Sequence, residues 1–141
     1  MANFLGKSKD LSSISLELSF PSIGTRTLTE PREITHGRDG ERFVLSDPDI
    51  YGNVSTIENK NTKLIVKVKL TKNSDDEAFL IKCHNSGSKL GSCVYIDNSG
   101  DNKLTITGQG GSVKQLADRT NNTDSDEAEY EIQFAKSTYT I

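Results

Sequence analysis

The stretch LIVKVKLTKNSDDEAFLIKC, residues 64–83, decides the fold. Leu64, Val66, Val68 and Leu70 alternate with Ile65, Lys67 and Lys69, the period of two of a strand with one apolar face and one wet face. A few residues later the pattern becomes helical. Ser74 opens the helix: its hydroxyl is placed to accept from the amide of Glu77 while Glu77 reaches back to Ser74, a capping box. Asp75, Asp76 and Glu77 fill the first turn, where the helix dipole favours negative charge. Phe79, Leu80 and Cys83 make one apolar stripe, and Gly87 suits a left-handed cap. A helix over about residues 74–86 is too short to hold alone, so its stripe must dock on a sheet.

The flanks supply that sheet. In SISLELSF (13–20), Ile14, Leu16, Leu18 and Phe20 oppose Ser15, Glu17 and Ser19, again a half-buried strand, and PSIG (21–24) is turn chemistry. The next stretch, TRTLTEPREITHGRDGERFVLSDPD, has extended character with weak alternation, a proline at 31 and an Arg38-Asp39-Gly40 turn. It reads as a long loop or hairpin over about 25–47 that needs an external partner. DPDIYGN (47–53) is a second turn, leading through VSTIE back to residue 64. Downstream, SCVYID, NSGD and NKLTITG give a strand, a tight turn through Asn98 to Asp101 and a second strand. SVKQLAD reads as a strand or a helical turn, and TNNTDSD as an exposed loop. EAEYEIQFAKSTYTI closes the chain, with Tyr130, Ile132 and Phe134 against Glu129, Glu131 and Gln133. The expected fold class is mainly β: an antiparallel β-sandwich or barrel with one short flanking helix. It forms one domain over 1–141 with a polar N-terminal arm at 1–12.

Composition narrows the function. The 141 residues are 33% hydrophobic, with no tryptophan and one methionine. The core is therefore thin, and a thin domain often completes its burial against other subunits. A net charge of −3 argues against a general nucleic-acid binder, and the row Lys63, Lys67, Lys69 is too short to overturn that. No run approaches the roughly 18 apolar residues of a membrane span. The opening MANFLGKSKDLSS lacks the apolar block and cleavage site of a secretory signal, so synthesis in the cytosol without a membrane anchor is expected. In that compartment Cys83 and Cys93 are expected as buried free thiols.

Candidate chemistry reads more simply as structure. His36 and His84 share no metal-ligand spacing with the cysteines. Asp75, Asp76 and Glu77 are accounted for by capping without a cleft. DNSGDN (97–102) lacks the closing Glu of a calcium loop, and GQGG (108–111) lacks the Lys-Ser/Thr of a phosphate loop. Its glycines fit a bulge or a close backbone contact between subunits. No nucleophile–base set appears, so no enzyme, cofactor or metal is expected. Lys67 and Lys69 have two readings: a solvated face, or cross-strand partners for Glu129 and Glu131 or for Glu17, within or between chains. Such pairs contribute roughly 0.2–1 kcal/mol each and set register more than stability.

The block IYGNVSTIENKNTKLIVKVKLTKNSDDEAFLIK (50–82) resembles the central part of phage tail tube proteins from contractile tails. The matching residues are Gly52, Val54, Ser55, Asn59, Asn61, Leu70, Thr71, Ser74 and Leu80. GSCVYIDNSGDNKLTITGQG is similar to that family's hairpin with its Asp-x-x-Gly turn, and EAEYEIQFAKS to its closing strand. TEPREITHGRDGERF has no counterpart in the pattern. The resemblance implies a subunit that joins copies of itself into a ring, six by expectation, whose sheets make one inner wall. Stacked rings would form a channel for genome delivery in a virion tail, and the same fold serves type VI secretion and related injection machines. It further implies sheath, baseplate and tail terminator partners, and phage DNA that passes the lumen without specific binding. Candidate subunit-contact or lumen residues are Glu17, Arg32, Arg38, Arg42, Lys67, Lys69, Glu129 and Glu131. The alternatives are a non-enzymatic β-sandwich binding module of a baseplate or fibre, and a tube subunit of a bacterial secretion or injection system. The lack of tryptophan counts against a glycan-binding module.

Overall fold

The computed structural model describes residues 13–29, 31–38, 40–118 and 126–141. The arm expected at 1–12, Asp39 of the expected turn and most of the loop expected at 120–126 lie outside the described residues. The elements are β1 (Ile14–Phe20), β2 (Gly24–Thr27), β3 (Pro31–Arg38), β4 (Phe43–Leu45), β5 (Thr56–Glu58), β6 (Leu64–Thr71), α1 (Asp75–Ser86), β7 (Gly91–Asp97), β8 (Leu104–Val113) and β9 (Glu127–Thr140). Seven strands form one antiparallel sheet in the order β2-β1-β7-β8-β9-β6-β3, and β4 and β5 form a separate two-stranded hairpin.

The sheet curls into a half-barrel. Four strand steps separate β3 from β7, which is about 19 Å in a flat sheet. Yet the rings of His36 on β3 and Tyr95 on β7 are 4.6 Å apart, centre to centre. The inner face is apolar, as the alternation requires: Leu16, Leu18, Phe20, Leu64, Val66, Val68, Leu70, Tyr130, Ile132 and Phe134 are all buried. α1 closes that face with Phe79, Leu80 and Cys83, and Phe79 meets Phe20 edge-on at 6.4 Å.

The helix is built as its sequence dictates, with two differences. Ser74 Oγ accepts from the Glu77 amide at 3.3 Å, and Gly87 caps the other end at φ 68°. Glu77, however, accepts from the amide of Asn73 rather than Ser74, at 2.7 Å, where Asn73 takes a left-handed φ of 60°. Asp76 and Glu77 are also more than dipole charges, since each is only 1% exposed while Asp75 is exposed. Asp76 accepts from Arg26 Nε of β2 at 2.7 Å and from the Thr29 amide at 3.0 Å. Glu77 accepts from the Tyr130 hydroxyl of β9 at 2.9 Å. The helix is thus tied to two distant strands of the curl.

GQGG makes the bulge its glycines suggested. β8 continues through Val113, and its register against β7 shifts between Gly91 and Ser92. Gly110 sits at φ 69°, and the inward parity of β8 changes from Ile106 and Gly108 to Gly111 and Val113. Gly108 and Gly111 lie flat beneath the Phe134 ring: a β-carbon would stand 2.9 Å from Phe134 Cγ at Gly108 and 2.5 Å from its Cε2 at Gly111.

The stretch read as one loop or hairpin over 25–47 falls into three parts. Gly24–Thr27 and Pro31–Arg38 are the two edge strands of the main sheet, and only the segment after Gly40 leaves it. Weak alternation has a physical cause here: an edge strand has one neighbour, and β3 runs half-exposed along most of its length.

Candidate assembly surfaces

The lysine face of β6 lies on the outer side of the sheet. Lys67 stands opposite Glu131 and Lys69 opposite Glu129 on β9, with Thr35 and Glu33 opposite them on β3. Lys69 Nζ is 3.7 Å from Glu33 Oε1, and Glu131 Oε2 accepts from Lys114 Nζ at 3.2 Å. Positive and negative rows therefore alternate across three strands, which favours this register because like charges would meet in others. Glu17 is not among them. It lies on β1, four strands from β6, between Thr27 and Val94.

The three arginines serve different places. Arg32 forms a two-pronged contact with Asp126, at 2.8 and 3.2 Å, and reaches Thr71 Oγ1 at 3.1 Å, joining the tops of β3, β6 and β9. Arg38 donates to Ser137 Oγ at 3.1 Å and to its carbonyl at 3.0 Å, and covers the Tyr139 ring at 4.9 Å. Ser137 in turn donates to the Thr62 carbonyl at 2.8 Å, fixing the chain where it re-enters the sheet. Arg42 pairs with Glu58 at 3.1 Å and lies over Phe43, inside the β4–β5 hairpin.

That hairpin is the surface whose apolar character the sequence reading did not single out. Val44 pairs with Ile57, Phe43 with Glu58 and Leu45 with Thr56. Phe43, Val44, Leu45, Val54 and Ile57 are all exposed, and the tip residues Ile50 and Tyr51 are 91% and 82% exposed. Both faces of the arm are apolar, so no lone subunit keeps them from water. The tip is nonetheless ordered. Asp49 Oδ1 accepts from the Tyr51 amide at 2.8 Å and the Asn53 amide at 2.9 Å, and these bonds, that to Asn53 first, hold its carboxyl below the usual range. The signal lay in FVL and TIE, two short β-prone runs flanking DPDIYGN.

Titratable groups in the interior are structural in placement. Cys83 and Cys93 are free and buried, and burial pushes each thiol up to about 11. His36 packs against Tyr95 and Tyr139; burial lowers its pKa, opposed by the charge of Asp97. Its Nδ1, like that of His84, is buried without a hydrogen-bond partner. Among the described residues no three acidic, His or Cys side chains gather as a metal site.

Comparison with solved structures gives the fold a context. The chain is similar to one in the tail of an empty gene transfer agent particle, obtained by helical refinement with C6 symmetry (TM-score 0.66, 13% identity, 95% of this chain and 100% of that one). It is similar to one in the sheath/tube terminator of the PVC extracellular contractile injection system in its extended state (TM-score 0.62, 10% identity, 98% and 100%). A chain in the six-fold symmetrised baseplate of the anti-feeding prophage also matches (TM-score 0.56, 8% identity, 90% and 91%). No family model and no curated protein matches the sequence. The chain has the fold found in these tail and injection-system particles, along nearly its whole length.

Proposed function

We propose that this chain, carrying the fold of those tail particles, is the structural subunit of a phage tail tube. It assembles with copies of itself into rings, six subunits in each by analogy with the C6 tail, and the rings stack into a channel. The observation that carries the reading is the β4–β5 arm: seven exposed apolar residues on a hairpin that its own subunit leaves uncovered. Contiguous apolar surface of this kind marks a protein contact. Among the described residues the edge strands β2 and β3 have no partner along their outer edges, which neighbouring copies would complete into a continuous wall.

The polar face of the sheet suits a channel that DNA crosses without holding. Among the described residues it presents Ser, Thr and Gln with acids and lysines in alternation, and no continuous basic stripe for phosphates. The role is structural rather than catalytic. Sheath, baseplate and terminator proteins are its expected neighbours in the tail. The terminator and baseplate likenesses also favour a second reading, the tube of a bacterial injection system rather than of a genome-delivering tail. Nucleic acid inside purified native particles separates the two.

Electron microscopy of the purified protein, from dilute to concentrated, tests the proposal. Stacked rings or tubes are expected. A protein that stays monomeric at every concentration, and is absent from the tube of the particles that contain it, overturns it. Replacing residues 43–58 by a short Gly-Ser loop should leave a folded subunit that forms no tubes. Replacing 29–42 does not serve that purpose, because it removes β3 from the main sheet.

A further inference from the structure

The curl has a seam that side chains close rather than a backbone ladder. β6 begins at Leu64, opposite Phe134, so among the described residues the 135–140 stretch of β9 has no strand beside it on that side. β3 bridges the gap. Arg38 donates to Ser137 Oγ at 3.1 Å and to the Ser137 carbonyl at 3.0 Å, and covers the Tyr139 ring at 4.9 Å. Two residues earlier, the His36 ring lies 4.6 Å from that of Tyr95 and 6.3 Å from that of Tyr139. Tyr95, Ile106 and Tyr139 form one cross-strand row on β7, β8 and β9, and His36 meets this row across the curl. Both stems of the β4–β5 arm start here. One runs on from Arg38 through Gly40, whose φ is 93°. The other returns at Thr62, whose carbonyl accepts from Ser137 Oγ at 2.8 Å. Ser137 thus clamps both stems.

His36 is the weak point of the clamp. Its Nδ1 is buried with no hydrogen-bond partner. A neutral ring can leave a bare lone pair there, but an imidazolium carries a proton on both nitrogens, which puts a buried N–H against no acceptor. The titratable and charged groups around the ring are Tyr95 and Asp97 on β7, Tyr139 on β9 and Arg38 on β3 itself. Val66, opposite on β6, and Ile106, between the tyrosines, are apolar. Asp97 favours the cation, but burial opposes it more strongly and lowers the pKa. We propose that the seam is an acid-released latch: protonation of His36 parts β3 from the end of β9 and frees both stems of the arm. The hairpin itself persists, because its own bonds lie beyond the seam: the Asn59 amide to the Arg42 carbonyl at 2.6 Å, and Arg42 to Glu58 at 3.1 Å. The closed seam is favoured above the ordinary imidazole pKa of about 6.5 and is lost as pH falls through the lowered one. On the tube-subunit reading, and resting on it, the latch holds assembled tubes at neutral pH and weakens them in mild acid.

Spin labels on Tyr51→Cys at the arm tip and Lys82→Cys on the exposed side of α1 report the arm's position, since Cys83 and Cys93 are buried. The distance distribution should be narrow at about pH 7.5 and at least about twofold broader at about pH 5. His36→Phe keeps a ring without a proton to gain and should stay narrow at both. Arg38→Met, at an exposed position, should be broad at both. In a His84→Gln variant, where His36 is the one remaining histidine, its imidazole resonances should titrate below about 6.5. Equal widths at the two pH values, broadening that persists in His36→Phe, or titration at or above about 6.5 overturns the latch. So does loss of the whole circular dichroism signal in step with the broadening, which is global unfolding instead. The labels read the single subunit, so the two proposals fail separately. Wild-type protein that never polymerises sinks the tube reading, and a polymerising protein whose arm ignores pH sinks the latch.

Discussion

The Tyr130 hydroxyl donates a 2.9 Å hydrogen bond to Glu77 Oε2, while Oε1 of the same carboxylate accepts from the Asn73 amide at 2.7 Å. One buried carboxylate therefore caps the helix and docks it on β9. On the adjacent residue of the helix, Asp76 holds Arg26 of the edge strand β2. The helix acts as a strap across the curl, binding the β2 edge to a strand near the other edge. Curvature of the sheet and capping of the helix are one arrangement.

Removing the Glu77 carboxylate takes away an acceptor shared by the Asn73 amide and the buried Tyr130 hydroxyl. Glu77→Ala should therefore cost about 2–3 kcal/mol, and Tyr130→Phe about 1–2 kcal/mol, since hydrogen bonds to charged groups are stronger than neutral ones. Urea unfolding measures both. Asp75→Ala, at the exposed neighbour, is the control, and a Glu77→Ala loss no greater than the Asp75→Ala loss would contradict the dual role.

His36 gives the fold a pH dependence of known sign. Burial between Tyr95 and Tyr139 lowers its pKa in the folded chain, with Asp97 opposing the shift and Arg38 close by on Tyr139. A lowered imidazole pKa means the unfolded chain binds the proton more readily. The contribution is fully present above the unfolded value of about 6.5 and is lost as pH falls through the folded one. His36→Gln should flatten the fall in melting temperature between neutral and mildly acid pH. Parallel curves for the two proteins would show that His36 carries none of it.

Much of this was legible in the sequence. Period-two patterns at 13–20, 64–71 and 127–134 placed three strands with the correct inward faces, because each lies between two neighbours and buries one side fully. Ser74 and Gly87 marked both ends of the helix, because caps are local chemistry. Pairing of Lys67 and Lys69 with Glu129 and Glu131 was one of the readings the sequence left open, beside a solvated face and Glu17, and the register that puts Lys67 opposite Glu131 was not readable from it. Non-local geometry was not legible either. Arg26 and Asp76 lie fifty residues apart, and nothing in either segment announces the other. The arm was blurred into the edge strands because edges alternate weakly, and its apolar residues match ordinary strand chemistry until their exposure is seen.

The two thiols should be inert in the native state. With each pushed up to about 11, only on the order of one in a thousand is thiolate at pH 8, and both side chains are buried. An aromatic disulfide reagent should react with neither over minutes in the folded protein and with both in denaturant. Rapid labelling of one thiol in native protein would show that its part of the core opens locally.

The glycines at 108 and 111 set how closely β8 approaches β9. The Phe134 ring is buried and lies across both, and at Gly111 a β-carbon would also stand 2.9 Å from the Gly91 carbonyl, which is backbone and cannot swing aside. Gly111→Ala should therefore destabilise by about 1–3 kcal/mol, the usual cost of overpacking a dense core. Gly100→Ala, in an open turn where nothing lies within 4 Å, should change stability by about 0.5 kcal/mol or less. If the Phe134 ring is the obstacle, Phe134→Leu makes its own cavity but should lessen the added cost of Gly111→Ala, so the two changes combine to less than their sum. Strict additivity would assign the cost to the Gly91 carbonyl, and with it to the bulge that turns the inward face of β8 at Gly110.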